Sequence, residues 1–382
     1  MDAKRFVAPA AGQIVRTFNT EGPYEAFVPA TLPRSLALAP ETVLGLSRAD
    51  TALGRLAGAG RLLPNPHILV GPYVTREAVA SSRIEGTQAS LSDVFRATAE
   101  GSSPGDVREV QNYVAALNLG LERLATLPIS GRLVKELHSV LLDGVRSSDP
   151  TPGNFRENQN WIGSPDARPQ TAIFVPPPPG RALNDALADW ERFTHEDESQ
   201  LPLLIRCGLL HYYFETIHPF LDGNGRLGRL LIVFFLVSKG VLPRPLLYIS
   251  SYFEQHRGDY ADRLQAVRER YELEEWLQFF LKAIEVQAGD AVERAERLAD
   301  LRERYRRQLS DTRSRAPGVV ELLFENPIVT ARYVSDRLGN TPQGAKNLLA
   351  ELESHGVVQA SPAPPGFRKR WIAEEILAVI SA

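Results

Sequence analysis

The apolar run Leu203–Thr216 leads into twelve residues, His218-Pro219-Phe220-Leu221-Asp222-Gly223-Asn224-Gly225-Arg226-Leu227-Gly228-Arg229, which in turn open a second apolar run, Leu227–Ser238. Apolar segments of this length predict two core helices, so the stretch between them must be a tight loop. Pro219 stops the first helix, and Gly223 and Gly225 let successive backbone N–H groups point inward. The second helix, beginning near Arg226, adds its unpaired N–H groups and its dipole, which makes the loop an anion cradle.

The side chains fit the same chemistry. Arg226 and Arg229 are three apart on one helix face and suit two successive phosphates. Asp222, four residues before Arg226, suits Mg²⁺, which takes one or two carboxylates plus phosphate oxygens and water. An imidazole at the loop mouth, His218, is a natural base for an attacking hydroxyl. A His-Pro pair alone marks a helix stop and Gly-Asn-Gly alone marks a turn; their joint occurrence with a carboxylate and two arginines is specific.

The remaining chain reads as mainly α. Its 382 residues exceed one ordinary core and predict two or three domains. Tyr24–Ser35 is an extended surface arm. Helices are expected over Leu44–Leu63, ended by Pro64-Asn65-Pro66, and over about Gly71–Gly86. Val107–Leu127, Gly131–Leu142, Leu183–Phe193 and Asp259–Ile284 continue the series, with a short β-hairpin inside Asn160–Pro179. Asp290–Leu309 reads as a charged connector with a solvated face. Val319–Phe324, Ala331–Leu338 and Pro342–His355, followed by strands at Val357–Gln359 and Arg368–Ile372, give winged-helix order. The boundaries drawn are 1–100, 101–288, 289–316 and 317–382.

Composition excludes several classes. A net charge of −3 gives no global case for nucleic acid or an anionic membrane, and residues 317–382 hold six Lys plus Arg against seven Asp plus Glu. DNA contact through Gln343, Lys346 and Asn347, with Arg368-Lys369-Arg370 in the wing, stands level with protein contact. Cys207 is the only cysteine, which excludes an internal disulfide and a cysteine zinc cluster. Met1–Thr20 lacks a signal-like apolar core and the Leu227–Val237 run is too short to span a bilayer, so a cytoplasmic location is expected. His138, His211 and His256 read as packed histidines, not metal ligands.

The twelve-residue motif resembles the signature of the Fic family, HPFx[DE]GNGRxxR, at every fixed position. The resemblance implies a helical core with a β-hairpin flap and transfer of AMP from ATP, with Mg²⁺, to a protein hydroxyl. His218 would activate that hydroxyl and Asp222 would hold the metal. The backbone of Gly223 to Gly225 and the side chain of Asn224 would bind phosphates, while Arg226 and Arg229 would hold the β- and γ-phosphates. Phe220 would be an anchor. Related Doc kinases carry Lys-Arg where this chain has Gly225-Arg226; the glycine leaves room for a longer phosphate chain and favours AMP transfer.

Ser81-Ser82-Arg83-Ile84-Glu85-Gly86 matches the family's inhibitory motif, [ST]xxxE[GN]. Glu85 reaching Arg229 would occupy the guanidinium needed by the γ-phosphate, so transfer would be repressed at rest. In some relatives the same glutamate removes AMP. Gly153–Gly163 resembles the entry to the family's flap, which would pair by backbone with an extended target segment. Tyr252 or Tyr260 would lie near adenine. The target protein, the chain itself included, is not named by the sequence, and relatives of this architecture often pair as homodimers. The competing reading is a DNA-binding regulator whose Fic core is a sensor or acts on itself.

Overall fold

The fold comes from a computed structural model, which describes all residues except 20–21, 63–66, 146–148, 165–167, 197–199, 311–313 and 362–368. Pro64-Asn65-Pro66 and Arg368 therefore lie outside the described residues. A 3-10 turn at Ala3–Arg5 precedes an antiparallel hairpin of β1 (Gly12–Asn19) and β2 (Gly22–Pro29), in which Ile14 faces Phe27. The arm expected from Tyr24 is thus, over its first half, the inner strand of this hairpin. Beyond it, the Leu32 N–H donates to Asp189 Oδ2 at 2.8 Å. Tyr24, Ala26 and Phe27 pack against Ala172, Phe174 and Val175, and Phe27 N–H donates to Val175 O at 2.9 Å. The flap itself closes through one antiparallel bridge, Ile162 to Phe174, in place of a full ladder.

Eleven described helices follow in order: α1 (Pro40–Leu62), α2 (His67–Ile84), α3 (Leu91–Glu100), α4 (Gly105–Arg123), α5 (Gly131–Leu141), α6 (Arg181–His195), α7 (Leu203–Ile217), α8 (Asn224–Ser238), α9 (Ser250–Gln255), α10 (Arg257–Arg270) and α11 (Leu273–Gln308). Residues 204–217 of α7 are all buried, and α8 is buried from Arg226 to Leu236, so these two apolar helices form the centre and the others surround them. Gly120 permits close approach of α4 to α8, because a Cβ there would stand 2.2 Å from the Phe234 ring. The short α3 is fixed by a capping box, Ser90 with Asp93, and ends at left-handed Gly101.

Two expectations are corrected. The helix read over Asp259–Ile284 breaks at Tyr271, which adopts a left-handed φ of 59°. The charged connector is the distal half of the 36-residue α11. It buries Ala291, Arg294, Ala295, Leu298, Leu301 and Tyr305, a stripe of helical period that its charges conceal in sequence.

The C-terminal part comprises α12 (Ala316–Glu325), β3 (Ile328–Thr330), α13 (Ala331–Leu338), α14 (Pro342–Ser354), β4 (Gln359–Ser361), β5 (Arg370–Ile372) and α15 (Glu374–Ser381). The strands form an antiparallel sheet of order β3-β5-β4, with Trp371 opposite both Val329 and Ala360. This is a winged helix, and it is docked on the rest: Asn326 Nδ2 donates to Phe95 O at 2.9 Å, Thr330 Oγ1 to Ala99 O at 3.0 Å and Arg294 Nη1 to Val379 O at 2.6 Å. Helices α12 and α15 pack on α2. Arg370, expected on the wing surface, turns inward to Glu100 at 3.7 Å. Among the described residues no helix is long and apolar enough to cross a membrane.

Candidate active site

Helix α7 ends at Ile217, and His218 caps it in the left-handed region at φ 48°, ψ 62°, a conformation few non-glycine residues adopt. The chain turns through Pro219–Asp222, passes Gly223 at φ 77°, and enters α8 at Asn224. The helix therefore starts two residues earlier than the sequence indicates, and Gly225 lies in its first turn. The N–H groups of that turn have no intrahelical acceptor and face outward along the axis.

The loop is held from behind. Asn224 accepts from Phe220 N–H at 2.9 Å and donates to Phe220 O at 2.8 Å, so its side chain ties the loop to the start of α8. Asn160 donates to the carbonyls of His218 and Phe220 at 3.0 and 2.7 Å, and Arg156 Nε donates to His218 O at 2.9 Å. Phe220 stacks on buried His138 at 3.7 Å between centroids. Gly153 N–H donates to His138 Nδ1 at 2.8 Å, which puts the imidazole proton on Nε2 and directs it to Asp222 O at 2.9 Å. Burial holds the His138 pKa below its ordinary value.

The same reasoning orients His218. Its Nδ1 lies 3.3 Å from Glu215 O, a group that only accepts, so Nδ1 carries the proton and Nε2 keeps its lone pair. Burial first, then Arg268, push the His218 pKa down to about 4. The imidazole is neutral at neutral pH, the state a base requires.

The two arginines have different partners. Arg229, 1% exposed, donates from Nε to Ser81 Oγ at 2.8 Å and from Nη2 to Ser81 O at 2.9 Å and Glu85 Oε1 at 2.7 Å. Arg226, also buried, lies 3.4 Å from Glu109 Oε2 and 3.5 Å from Asp222 Oδ1, and Asp222 Oδ1 accepts from Gly223 N–H at 2.6 Å. Ser81 and Glu85 are four apart and so share a face of α2 and its end, beyond which Gly86 turns the chain at φ 105°. A Cβ on Gly225 would come within 2.2 Å of Glu85 Oε1 and 2.9 Å of Arg229 Nη1. Glycine there makes room for the carboxylate that meets Arg229.

Tyr260, one candidate for a nucleoside wall, is buried and stacked on Phe253 at 4.4 Å. Its hydroxyl lies 2.8 Å from His211 Nε2, and His211 Nδ1 lies 3.1 Å from Gly228 O. His211, with its pKa pushed down to about 3 by burial, is a packed residue as expected. Tyr252 is partly exposed and stacks on His256 at 4.1 Å.

Two carboxylates escaped the sequence reading. Glu77, 1% exposed, accepts from Tyr113 Oη at 3.1 Å and Ser250 N–H at 3.0 Å, pinning α2 to α4 and α9. Its signal was present: it stands four residues before Ser81 and eight before Glu85, on the same helix face. Glu215 is buried on α7 one turn before His218, and only a charge inside an apolar run betrays it. Among the described residues no group of three or more His, Cys, Asp or Glu could hold a metal by itself.

Comparison with known proteins gives this geometry its context. The Fic/DOC family N-terminal model matches residues 43–122, the Fic/DOC family model residues 128–236 and an HTH DNA binding domain model residues 316–358. The chain belongs to the Fic family. This Fic protein is 31% identical over 169 residues to the protein adenylyltransferase Fic of Drosophila willistoni, a match covering 42% of this chain and 31% of the relative. The counterpart in Culex quinquefasciatus is 33% identical over 136 residues, covering 35% and 23%. The chain thus spans about a third or less of the length of these curated relatives. The fold is shared with a Fic family protein from Desulfovibrio desulfuricans G20, with a TM-score of 0.55, 20% identity, and 88% of this chain and 97% of that one covered. It is shared also with a Fic domain containing signaling protein from Bacteroides thetaiotaomicron VPI-5482, with a TM-score of 0.52, 18% identity, and 66% and 97% covered.

Proposed function

We propose that this Fic protein is an adenylyltransferase that moves AMP from ATP to a hydroxyl of a protein, and that Glu85 represses it at rest. The observation that carries the reading is the hold of Ser81 and Glu85 on Arg229 in the second turn of α8, beside a neutral His218 whose Nε2 can accept a proton. His218 takes the proton of the target hydroxyl, whose oxygen attacks the α-phosphorus. The bond from that phosphorus to the bridging oxygen breaks, and pyrophosphate leaves. The N–H groups of Asn224 to Arg226 and the guanidinium of Arg226 hold the phosphate chain, so catalysis rests on positioning and charge stabilisation.

Asp222 fits Mg²⁺: a partly exposed carboxylate at the loop mouth, beside a phosphate cradle, supplies the single protein carboxylate this ion requires. Bound there with the nucleotide, the ion would neutralise phosphate charge. Tyr252, partly exposed, is the better placed of the two tyrosines to flank a nucleoside. The relatives' name, protein adenylyltransferase, supports the reaction class.

The DNA-binding description of the HTH model favours a second role for the C-terminal part, in which exposed Gln343, Lys346 and Asn347 of α14 contact DNA. In that reading the Fic core senses a ligand or modifies itself. Incubating Glu85→Gly with α-labelled ATP, alone and with host lysate, beside the Glu85→Gly/His218→Ala variant, separates the two. Label dependent on His218 supports transfer; no label in either, or equal label in both, contradicts it.

A further inference from the structure

The site contains a carboxyl group that the reaction above does not use. Glu215 is 6% exposed, and its Oε1 is buried with no hydrogen-bond partner among the described residues. Native structures rarely leave such an atom unpaired without cause. Its space is provided by Gly228, where a Cβ would stand 2.5 Å from Oε1. Gly228 immediately precedes Arg229, and of the charges acting on Glu215 the largest is the Arg229 guanidinium, followed by Glu85 and Arg268. Tyr260 of α10 faces it as well. The buried Arg229 guanidinium is thus shared electrostatically by two carboxyls: partly exposed Glu85 just past the end of α2, in direct contact, and buried Glu215 from α7.

We propose that Glu215 is a positioning residue acting through Arg229: it supplies the counter-charge when Glu85 withdraws and gives it up, by taking a proton, when the γ-phosphate of ATP arrives. This rests on Arg229 being the γ-phosphate partner. A buried guanidinium stripped of every carboxylate is costly, so a second carboxyl nearby eases the departure of the first. In the resting protein, burial and the charge of Glu85 outweigh Arg229 and raise the Glu215 pKa to about 7. Without Glu85 one of the raising influences is gone and the group ionises more readily. A phosphate on Arg229 restores a negative neighbour and raises the pKa again. Nucleotide binding to the released protein therefore takes up a proton, and affinity falls as pH rises through that window.

The test compares Glu85→Gly with Glu85→Gly/Glu215→Gln by calorimetric titration with Mg·ATP. Titration of ATP itself is common to both variants, so the ratio of their dissociation constants reads Glu215 alone. The expected ratio grows by about fivefold to tenfold from about pH 6 to about pH 8, with the double variant binding tighter at the alkaline end. A ratio that does not change with pH overturns the proposal.

A second arm needs no nucleotide. A folded pKa raised above the unfolded value makes the native state lose stability as pH rises toward it. The Tm of the unsubstituted protein should therefore fall relative to Glu215→Gln between about pH 5 and about pH 7, and the same comparison in the Glu85→Gly background should show a smaller fall ending at lower pH. Identical profiles in the two backgrounds also overturn the proposal. A merely structural Glu215 would shift Tm without moving either difference. If AMP transfer fails while both arms behave as described, the proposed reaction falls and the Glu215 coupling stands.

Discussion

Replacing Glu85 by glycine removes the carboxylate that, among the described residues, is in direct contact with Arg229, and the size of the effect follows from the burial of the pair. The guanidinium is 1% exposed and the Glu85 side chain 38% exposed, at 2.7 Å. Breaking a fully buried pair costs about 3–5 kcal/mol and an exposed one about 0–1 kcal/mol, so a pair open on one side is worth about 2 kcal/mol. In the proposed reaction ATP must displace Glu85 to reach Arg229, and in the variant this cost is absent. At about 1.4 kcal/mol per tenfold, Mg·ATP should bind Glu85→Gly roughly thirtyfold tighter. Calorimetric titration of both proteins measures the ratio. The nucleotide-free variant should also melt at lower temperature, having a buried cation without its carboxylate, and should gain more from saturating Mg·ATP than the unsubstituted protein. Equal affinities, or weaker binding by Glu85→Gly, would refute the competition.

His218→Ala should abolish transfer in the Glu85→Gly background while leaving ATP affinity within about twofold, since the imidazole acts on the target hydroxyl. With a His218 pKa of about 4, its neutral form is complete at neutral pH and is lost only as pH falls toward that value, so the His218-dependent acid limb of the rate profile should lie near 4; a limb near 6.5 that disappears with His218→Ala would contradict the burial argument. His138→Ala removes the stack on Phe220 and the hydrogen bond to Asp222 O, and chemical denaturation should show a loss of about 2–4 kcal/mol. Gly120→Ala drives a methyl into the Phe234 ring and should cost about 1–3 kcal/mol in the same assay without altering ATP affinity.

The centre of the fold was legible because its signals are local. The apolar runs of α7 and α8, Pro219 after the first and Gly223 before the second bracket the loop, and the spacing of Ser81, Glu85 and Gly86 marks the end of α2. What was missed depends on distant partners. Strand β1 shows little alternation, since side chains such as Phe18, 72% exposed, face solvent, and it is fixed only by pairing with β2. The break at Tyr271 uses a left-handed tyrosine where sequence offers no glycine. Arg370 reads as a wing cation until Glu100, far off in sequence, draws it inward. The two hydrogen bonds between the Asn224 side chain and the Phe220 backbone are a matter of loop geometry that the sequence does not show. The Ser90 and Asp93 capping box is a local signal, set by residues three apart.

Helix α2 presents Ser81 and Glu85 to the site while α12 and α15 of the winged helix pack on it, and Arg76 of α2 pairs with Asp290, which also holds Arg294 against the Val379 carbonyl. The contact between Glu85 and Arg229 is thus braced from the C-terminal part of the chain as well as from the core.

The most direct test of the central claim is where the label goes. Glu85→Gly should be incubated with host lysate and ATP labelled either at the α- or at the γ-phosphorus, and protein-bound label counted. AMP transfer predicts α-label on protein, no γ-label, and loss of the α-signal with His218→Ala. Retention of γ-label would mean phosphate transfer and would contradict the account.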